Sequence, residues 1–311
     1  MTAPQETPST TSERAALAGG APLLAVGCLV INALVWGLSW WPFRQLQERG
    51  LHPLWSTALV YAAAVVCVLA WRPLAWRELF RHRGLWLLLA AAGMTNVGFN
   101  WAVSVGDVVR VVLLFYLMPA WSILLAWPLL GERPTRAALL RLLLALAGVV
   151  VVLKSPDSPW PVPSSSSDWL AVAGGLSFAL TNILLRRLGG TPSEGRMLAM
   201  FGGGAVLASA AAALGMGLGL VSPPAMGPGG WPIAVGLCLA FLVSNLALQY
   251  GAARLAAGTT ALVMLTEILF ASLSSAWLGA AEIDARTLIG GALIIVAALL
   301  AALQPSKPDS A

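Results

Sequence analysis

The sequence predicts an all-α integral membrane protein, with ten transmembrane helices arranged as a 5+5 inverted repeat around a central cavity. Three observations predict it. Hydrophobic residues make up 59% of the 311 and charged residues only 10%, with a mean hydropathy of +0.82. Soluble domains carry about 25% charged residues because their surface must be solvated, so most of this surface is expected to face lipid. The second observation is ten separate apolar stretches, and the third is a resemblance between the two halves of the chain.

Each stretch supplies close to the 20 or so apolar residues that a helix needs to cross the bilayer core. They run over 22–43, 53–71, 84–106, 108–130 and 135–153, then over 168–188, 195–218, 231–251, 256–278 and 286–304. Helix is the expected element, since an open strand would leave its backbone groups unpaired in lipid. The polar residues 1–20 read as a disordered cytoplasmic tail without the features of a cleaved signal peptide. The Pro/Ser-rich segment 155–167 reads as a linker and 222–230 as a shorter loop. The expected organisation is therefore a first five-helix repeat over 21–154, a second over 168–304, and a cytoplasmic C-terminal tail over 305–311.

Charge sets the expected orientation. With the N-terminus inside, thirteen basic residues face the cytoplasm: Arg14, Arg72, Arg77, Arg81, Arg83, Arg133, Arg136, Arg141, Arg186, Arg187, Arg196, Arg254 and Lys307. Five face outward: Arg44, Arg49, Arg110, Lys154 and Arg286. The positive-inside rule favours this arrangement, in the inner membrane of a bacterial cell and with both termini cytoplasmic. It also accounts for the net charge of +5 without nucleic acid. Trp55, Trp71, Trp86, Trp169, Trp231 and Trp277 fall near span ends, where aromatic belts anchor helices. Cys28, Cys67 and Cys238 all lie in apolar runs, which argues against a disulfide framework or thiolate metal site. His52 and His82 sit at span edges with no second ligand nearby.

The halves match in register. Leu24–Gly27 resembles Leu170–Ala173, Asn96, Asn100 and Trp101 resemble Asn245, Gln249 and Tyr250, and Leu130-Gly131 resembles Leu278-Gly279, at shifts between 146 (170 − 24) and 149 (245 − 96). An odd number of helices per repeat forces the second copy to insert upside down. Inverted repeats are an architecture of secondary transporters, which moves the expectation from membrane protein to transporter.

Polar residues recur at four-residue spacing: Asn96, Asn100 and Ser104, then Ser177 and Thr181, then Asn245 and Gln249. That spacing puts each set on one helix face. Such faces avoid lipid, so they point either to interhelical hydrogen bonds or to a wet cavity. With Asn32, Trp36, Trp101, Tyr116, Trp121, Asn182 and Tyr250, they would make a substrate site of aromatic walls and neutral hydrogen-bonding groups. Glu267 lies at the middle of the ninth span and is a candidate proton-coupling group, an acceptor for a substrate ammonium, or a structural acid. Arg110, near an outer span end, snorkels to the interface, draws a substrate carboxylate, or pairs with Asp107. Pro119 is expected to kink the fourth span by removing the bond to the Phe115 carbonyl. Gly131 suits a left-handed helix end, and Pro134 suits the first turn of the next helix.

The run from Leu114 through Pro119 and Trp121 to Leu130-Gly131-Glu132-Arg133-Pro134, together with Asn32, Trp36, Gly37 and Ser39, resembles the EamA-type members of the drug/metabolite transporter superfamily. The resemblance implies a ten-helix inverted-repeat fold, cytoplasmic termini, a central cavity and export or exchange of small metabolites. The second copy lacks the Arg-Pro of the turn and has Glu267 where the first has Pro119. The functional expectation is a secondary transporter of a small amphipathic metabolite such as an amino acid, with membrane lipids, the solute and, through Glu267, protons as partners. No Gly-x-x-x-x-Gly-Lys-Ser/Thr loop occurs, so gradients rather than ATP would drive it, and neither a cofactor nor a metal is expected. The alternative is a lipid flippase or scramblase. An intramembrane enzyme would need clustered His, Asp or Glu in the spans, which the sequence does not offer.

Overall fold

The computed structural model describes residues 10–106, 108–154, 162–278 and 285–303, all helix and connecting turns among the described residues. In chain order the helices are α1 (Thr10–Glu48), α2 (Pro53–Trp71), α3 (Ala75–Arg81), α4 (Gly84–Val105), α5 (Val108–Phe115), α6 (Met118–Leu130) and α7 (Arg136–Leu153). There follow α8 (Ser166–Arg187), α9 (Ser193–Gly217), α10 (Gly230–Ala252), α11 (Ala257–Met264), α12 (Glu267–Trp277) and α13 (Ala285–Ala302). Helix α1 starts at Thr10, inside the segment read as a tail. Residues 1–9, Asp107, most of the linker (155–161), the turn 279–284 and the end 304–311 lie outside the described residues.

Among the described residues nine segments are long and apolar enough to cross a membrane, against ten expected. Two of them, Arg110–Leu130 and Ala257–Trp277, are the broken pairs α5–α6 and α11–α12. The difference from ten lies in α4, whose 22 residues have the length. Its Asn96 and Asn100 lower its hydropathy. The chain is a multi-pass membrane protein.

Packing partners come in pairs. Helix α1 packs on α10 and α4 on α8, α4 lies on α9 and α2 on α10, the α5–α6 pair lies on α8 and the α11–α12 pair on α1. Helices α2 and α9 pack on each other, as do α7 and α13. The α7–α13 contact is a close backbone approach: a Cβ added at Gly148 would lie 2.7 Å from the Gly290 carbonyl oxygen, and one at Gly290 would lie 2.6 Å from that of Gly148. Small residues allow this backbone approach, which in lipid replaces the hydrophobic drive that water supplies to soluble cores.

Local chemistry explains the helix ends. Gly131 adopts φ 73°, and its N–H is shared by the Ala126 and Trp127 carbonyls, the left-handed end expected of it. Pro134 does not enter the next helix. Thr135 is the N-cap, its hydroxyl accepting from the Ala138 N–H at 3.1 Å, and Pro134 stands one residue outside. A threonine oxygen can bond an orphan N–H of the first turn and a proline ring cannot, so the cap settles the boundary. His52 caps α2 through Nδ1, which accepts from the Leu54 N–H at 3.2 Å. Burial pushes its imidazole below the ordinary histidine value, which favours the neutral ring that can accept. Ser165 and Asp168 form a capping box on α8, a Ser-x-x-Asp pattern legible in the sequence and missed in its reading.

The fourth and ninth spans are each interrupted by a single tight turn. Leu117 N–H reaches back only to Leu114, and α6 restarts at Met118 with Pro119 in its first turn. The second break follows Met264, and Glu267 opens α12. Leu117, Leu265 and Thr266 keep right-handed backbone. Pro119 has no N–H to give the Phe115 carbonyl, so the helix ladder lapses where the sequence places the bend.

Candidate functional site

Between the spans lies a small cavity of about 50 Å³. Its lining comes from α1 (Asn32, Trp36), α2 (Tyr61), α4 (Ala92, Thr95, Asn96), α8 (Phe178, Thr181), α9 (Met200, Phe201) and α10 (Phe241, Ser244, Asn245, Leu248). These are the first three spans of each half. A second cavity, of about 160 Å³, sits at the other turn-rich end under Gly131–Pro134, lined by Arg133, Thr135, Arg141 and the start of α11.

The walls of the central cavity are aromatic. Trp36 stacks on Phe241 with ring centroids 4.8 Å apart, and Tyr61 meets Phe241 and Phe201 edge-on at 5.7 and 5.3 Å. The Tyr61 hydroxyl donates to Asn96 Oδ1 at 3.0 Å, while Asn96 Nδ2 donates to the Ala92 carbonyl at 2.8 Å. Asn32, 1% exposed, donates through Nδ2 to the Ser244 carbonyl at 3.0 Å and to its hydroxyl at 2.5 Å. Thr181 turns its hydroxyl back to the Ser177 carbonyl at 2.9 Å.

Of the site residues expected from sequence, Asn32, Trp36, Asn96, Thr181 and Asn245 meet at this cavity. The others lie away from its lining. Asn100 donates to the Thr57 hydroxyl at 2.7 Å, joining α4 to α2. Trp101 packs with the cluster around Leu54, Ala58 and Ala212. Gln249 stands behind Asn245 and donates to its Oδ1 at 2.6 Å. Asn182 is 1% exposed, and neither of its amide atoms has a hydrogen-bond partner among the described residues. Trp121 lies on α6, and its buried Nε1 is likewise without one. The Tyr250 ring carries the Arg254 guanidinium over its face, 3.6 Å from the centroid.

Tyr116 and Glu267 stand close to one another. Tyr116 lies in the break of the fourth span and Glu267 opens the restarted half of the ninth, so the two interruptions meet. Arg110 is engaged at the mouth of α8: Nε and Nη2 reach Asp168 Oδ2 at 3.0 and 2.9 Å, and Nη2 also donates to the Ser164 hydroxyl at 2.8 Å and to the Val162 carbonyl. Asp107, the partner considered from sequence, lies outside the described residues. Sequence reasoning missed Tyr61, Met200, Phe241 and Ser244. Phe241, Asn245 and Leu248 lie on one face of α10 at helical spacing, the signal that could have found part of this set.

At about 50 Å³ the space between the aromatic walls and the amide groups is sized for water. The sequence model of the EamA-like transporter family matches residues 23–154, from α1 through α7. Over that stretch the chain is similar to the EamA-type members of the drug/metabolite transporter superfamily. The stretch supplies α1, α2 and α4 to the cavity lining. Among curated proteins, Protein RarD of Streptomyces exfoliatus is 29% identical over 163 residues, which cover 50% of this chain and 49% of that protein. The chain thus matches about half the length of this curated relative. A solved protein crystal structure superposes with a TM-score of 0.73 at 19% identity, covering 89% of this chain and 96% of the other. That likeness is one of fold, and it spans both halves of the chain.

Proposed function

We propose that the protein is a secondary transporter, an exporter or exchanger of a small amphipathic metabolite such as an amino acid, working by alternating access across the bacterial inner membrane. The observation that carries this reading is the cavity lined by the same three spans from each half of the chain. The paired packing contacts support a 5+5 inverted repeat with α2–α9 and α7–α13 on its axis. Such repeats place the solute at their interface and exchange conformations to open either side. A volume of about 50 Å³ accommodates a few waters, whereas ligand pockets run to about 300 Å³ and more. Carrying a metabolite therefore requires the cavity to widen, which suits a closed stage of a transport cycle.

Glu267 is the proton-coupling group in this reading. It stands outside the cavity lining, beside Tyr116 where the two helix breaks meet, so its protonation would act on the breaks rather than directly on the solute. The test is Glu267→Gln in liposomes, assayed for uptake and efflux of amino acids with and without an imposed pH gradient. Gradient-driven accumulation is expected to fall at least tenfold while solute exchange persists. Loss of exchange as well would assign Glu267 to an amine on the substrate. Wild-type accumulation with unchanged pH dependence would leave it a structural acid and overturn the coupling role.

A further inference from the structure

We propose that Arg196 fixes the hydrogen-bond polarity of the cavity so that Asn245 presents a donor to it, which selects solutes bearing a carboxylate. The inference rests on the cavity's being the solute site. Arg196 is 7% exposed in α9, and its hydrogen bonds run to neutral groups: Nε donates to Gln249 Oε1 at 3.0 Å and Nη1 to the Leu188 carbonyl at 3.1 Å. Gln249 Nε2 donates to Asn245 Oδ1 at 2.6 Å, and Asn245 Nδ2 ends on Met200 Sδ at 3.3 Å. Arg196, Gln249 and Asn245 are all buried. Asn245 and Met200 line the cavity.

An amide can face either way, but a guanidinium has five donors and no acceptor. Arg196 therefore obliges Gln249 to offer its oxygen, which turns the Gln249 NH2 toward Asn245. Asn245 must then accept on its oxygen, leaving its own NH2 for the cavity. Each link donates in the same direction, and aligned hydrogen bonds polarise one another in a low-dielectric interior. The terminal acceptor is a thioether, a weak one, which a carboxylate oxygen would displace. The opposite need is met on α1: Asn32 Oδ1 is buried at the cavity without a hydrogen-bond partner among the described residues, and it suits an ammonium. An amino acid with an apolar side chain carries both groups and would lay that side chain on Trp36 and Phe241.

Arg196 is thus a positioning residue, and its test must separate direction from charge. Purified full-length protein in nanodiscs is titrated with L-leucine, with isoamylamine, which lacks the carboxylate, and with 4-methylpentanoate, which lacks the amine. The wild type is expected to bind leucine at least tenfold more tightly than isoamylamine, about what one hydrogen bond to a charged group supplies. Arg196→Lys keeps a donor-only cation and should preserve that ratio within about threefold. Gln249→Leu keeps the charge but cuts the relay, and should lower the ratio at least tenfold. It also carries the test if Arg196→Lys fails to fold. A full preference in folded Gln249→Leu overturns the relay, and a wild type binding none of the probes, or preferring the amine, overturns the carboxylate assignment. Leucine binding with the predicted ratios but no transport in liposomes would overturn the transport reading and leave the polarity inference standing.

Discussion

At the scale of single residues, polar side chains in these spans divide by the location of their partner. Asn96 bonds Tyr61 at the cavity wall, whereas Asn100, one turn on, spends its amide on Thr57 of the neighbouring helix. The two should respond differently to truncation. Asn100→Ala is expected to cost about 0.6–2 kcal/mol, the range for interhelical hydrogen bonds in membranes, seen as a lower thermal midpoint with transport per folded molecule retained. Asn96→Ala should lose transport with a smaller midpoint change. Equal effects of both on both measurements would refute the division. The four-residue spacing made the polar faces legible, but not which neighbour each amide meets. Arg196 and Gln249 are 53 residues apart, and an arginine near a span end reads first as an orientation charge. Their contact arises only when α9 and α10 pack.

At the scale of elements, most spans were legible because length and apolarity suffice to define them. The left-handed end at Gly131 was legible because few residues other than glycine suit that φ. The second break was not, since no proline marks Leu265–Thr266. Helix contacts were equally hidden, because glycine enters a sequence as a gap in hydropathy and not as a surface. The α7–α13 seam gives the clearest expectation. Gly148→Ala forces a methyl to 2.7 Å from the Gly290 carbonyl and should destabilise by about 1–3 kcal/mol, the usual cost of overpacking. Gly27→Ala meets nothing within 4 Å and should leave the midpoint unchanged or raised, as alanine is the better helix former. Thermal unfolding of the two variants in one detergent checks the contrast, and a destabilised Gly27→Ala beside an intact Gly148→Ala would contradict the packing described.

At the scale of the whole molecule, the repeat is an expectation from three short matches in register, and none of them shows the packing pairs. Orientation is an expectation of charge alone. With Cys28, Cys67 and Cys238 replaced, single cysteines at Arg81 and Arg136 should resist impermeant thiol reagents in intact cells, and one at Ala225 should react. Labelling at position 81 from outside would reverse the proposed topology.

The two interrupted spans match in place and differ in kind. One restarts on Pro119, whose ring holds its geometry at every pH; the other restarts on Glu267, a carboxyl set beside Tyr116. A symmetric machine with two identical joints has no preferred sense of motion. In the transport reading proposed above, one permanent joint and one proton-responsive joint would give the molecule a pawl, set by the acid on one side of the membrane.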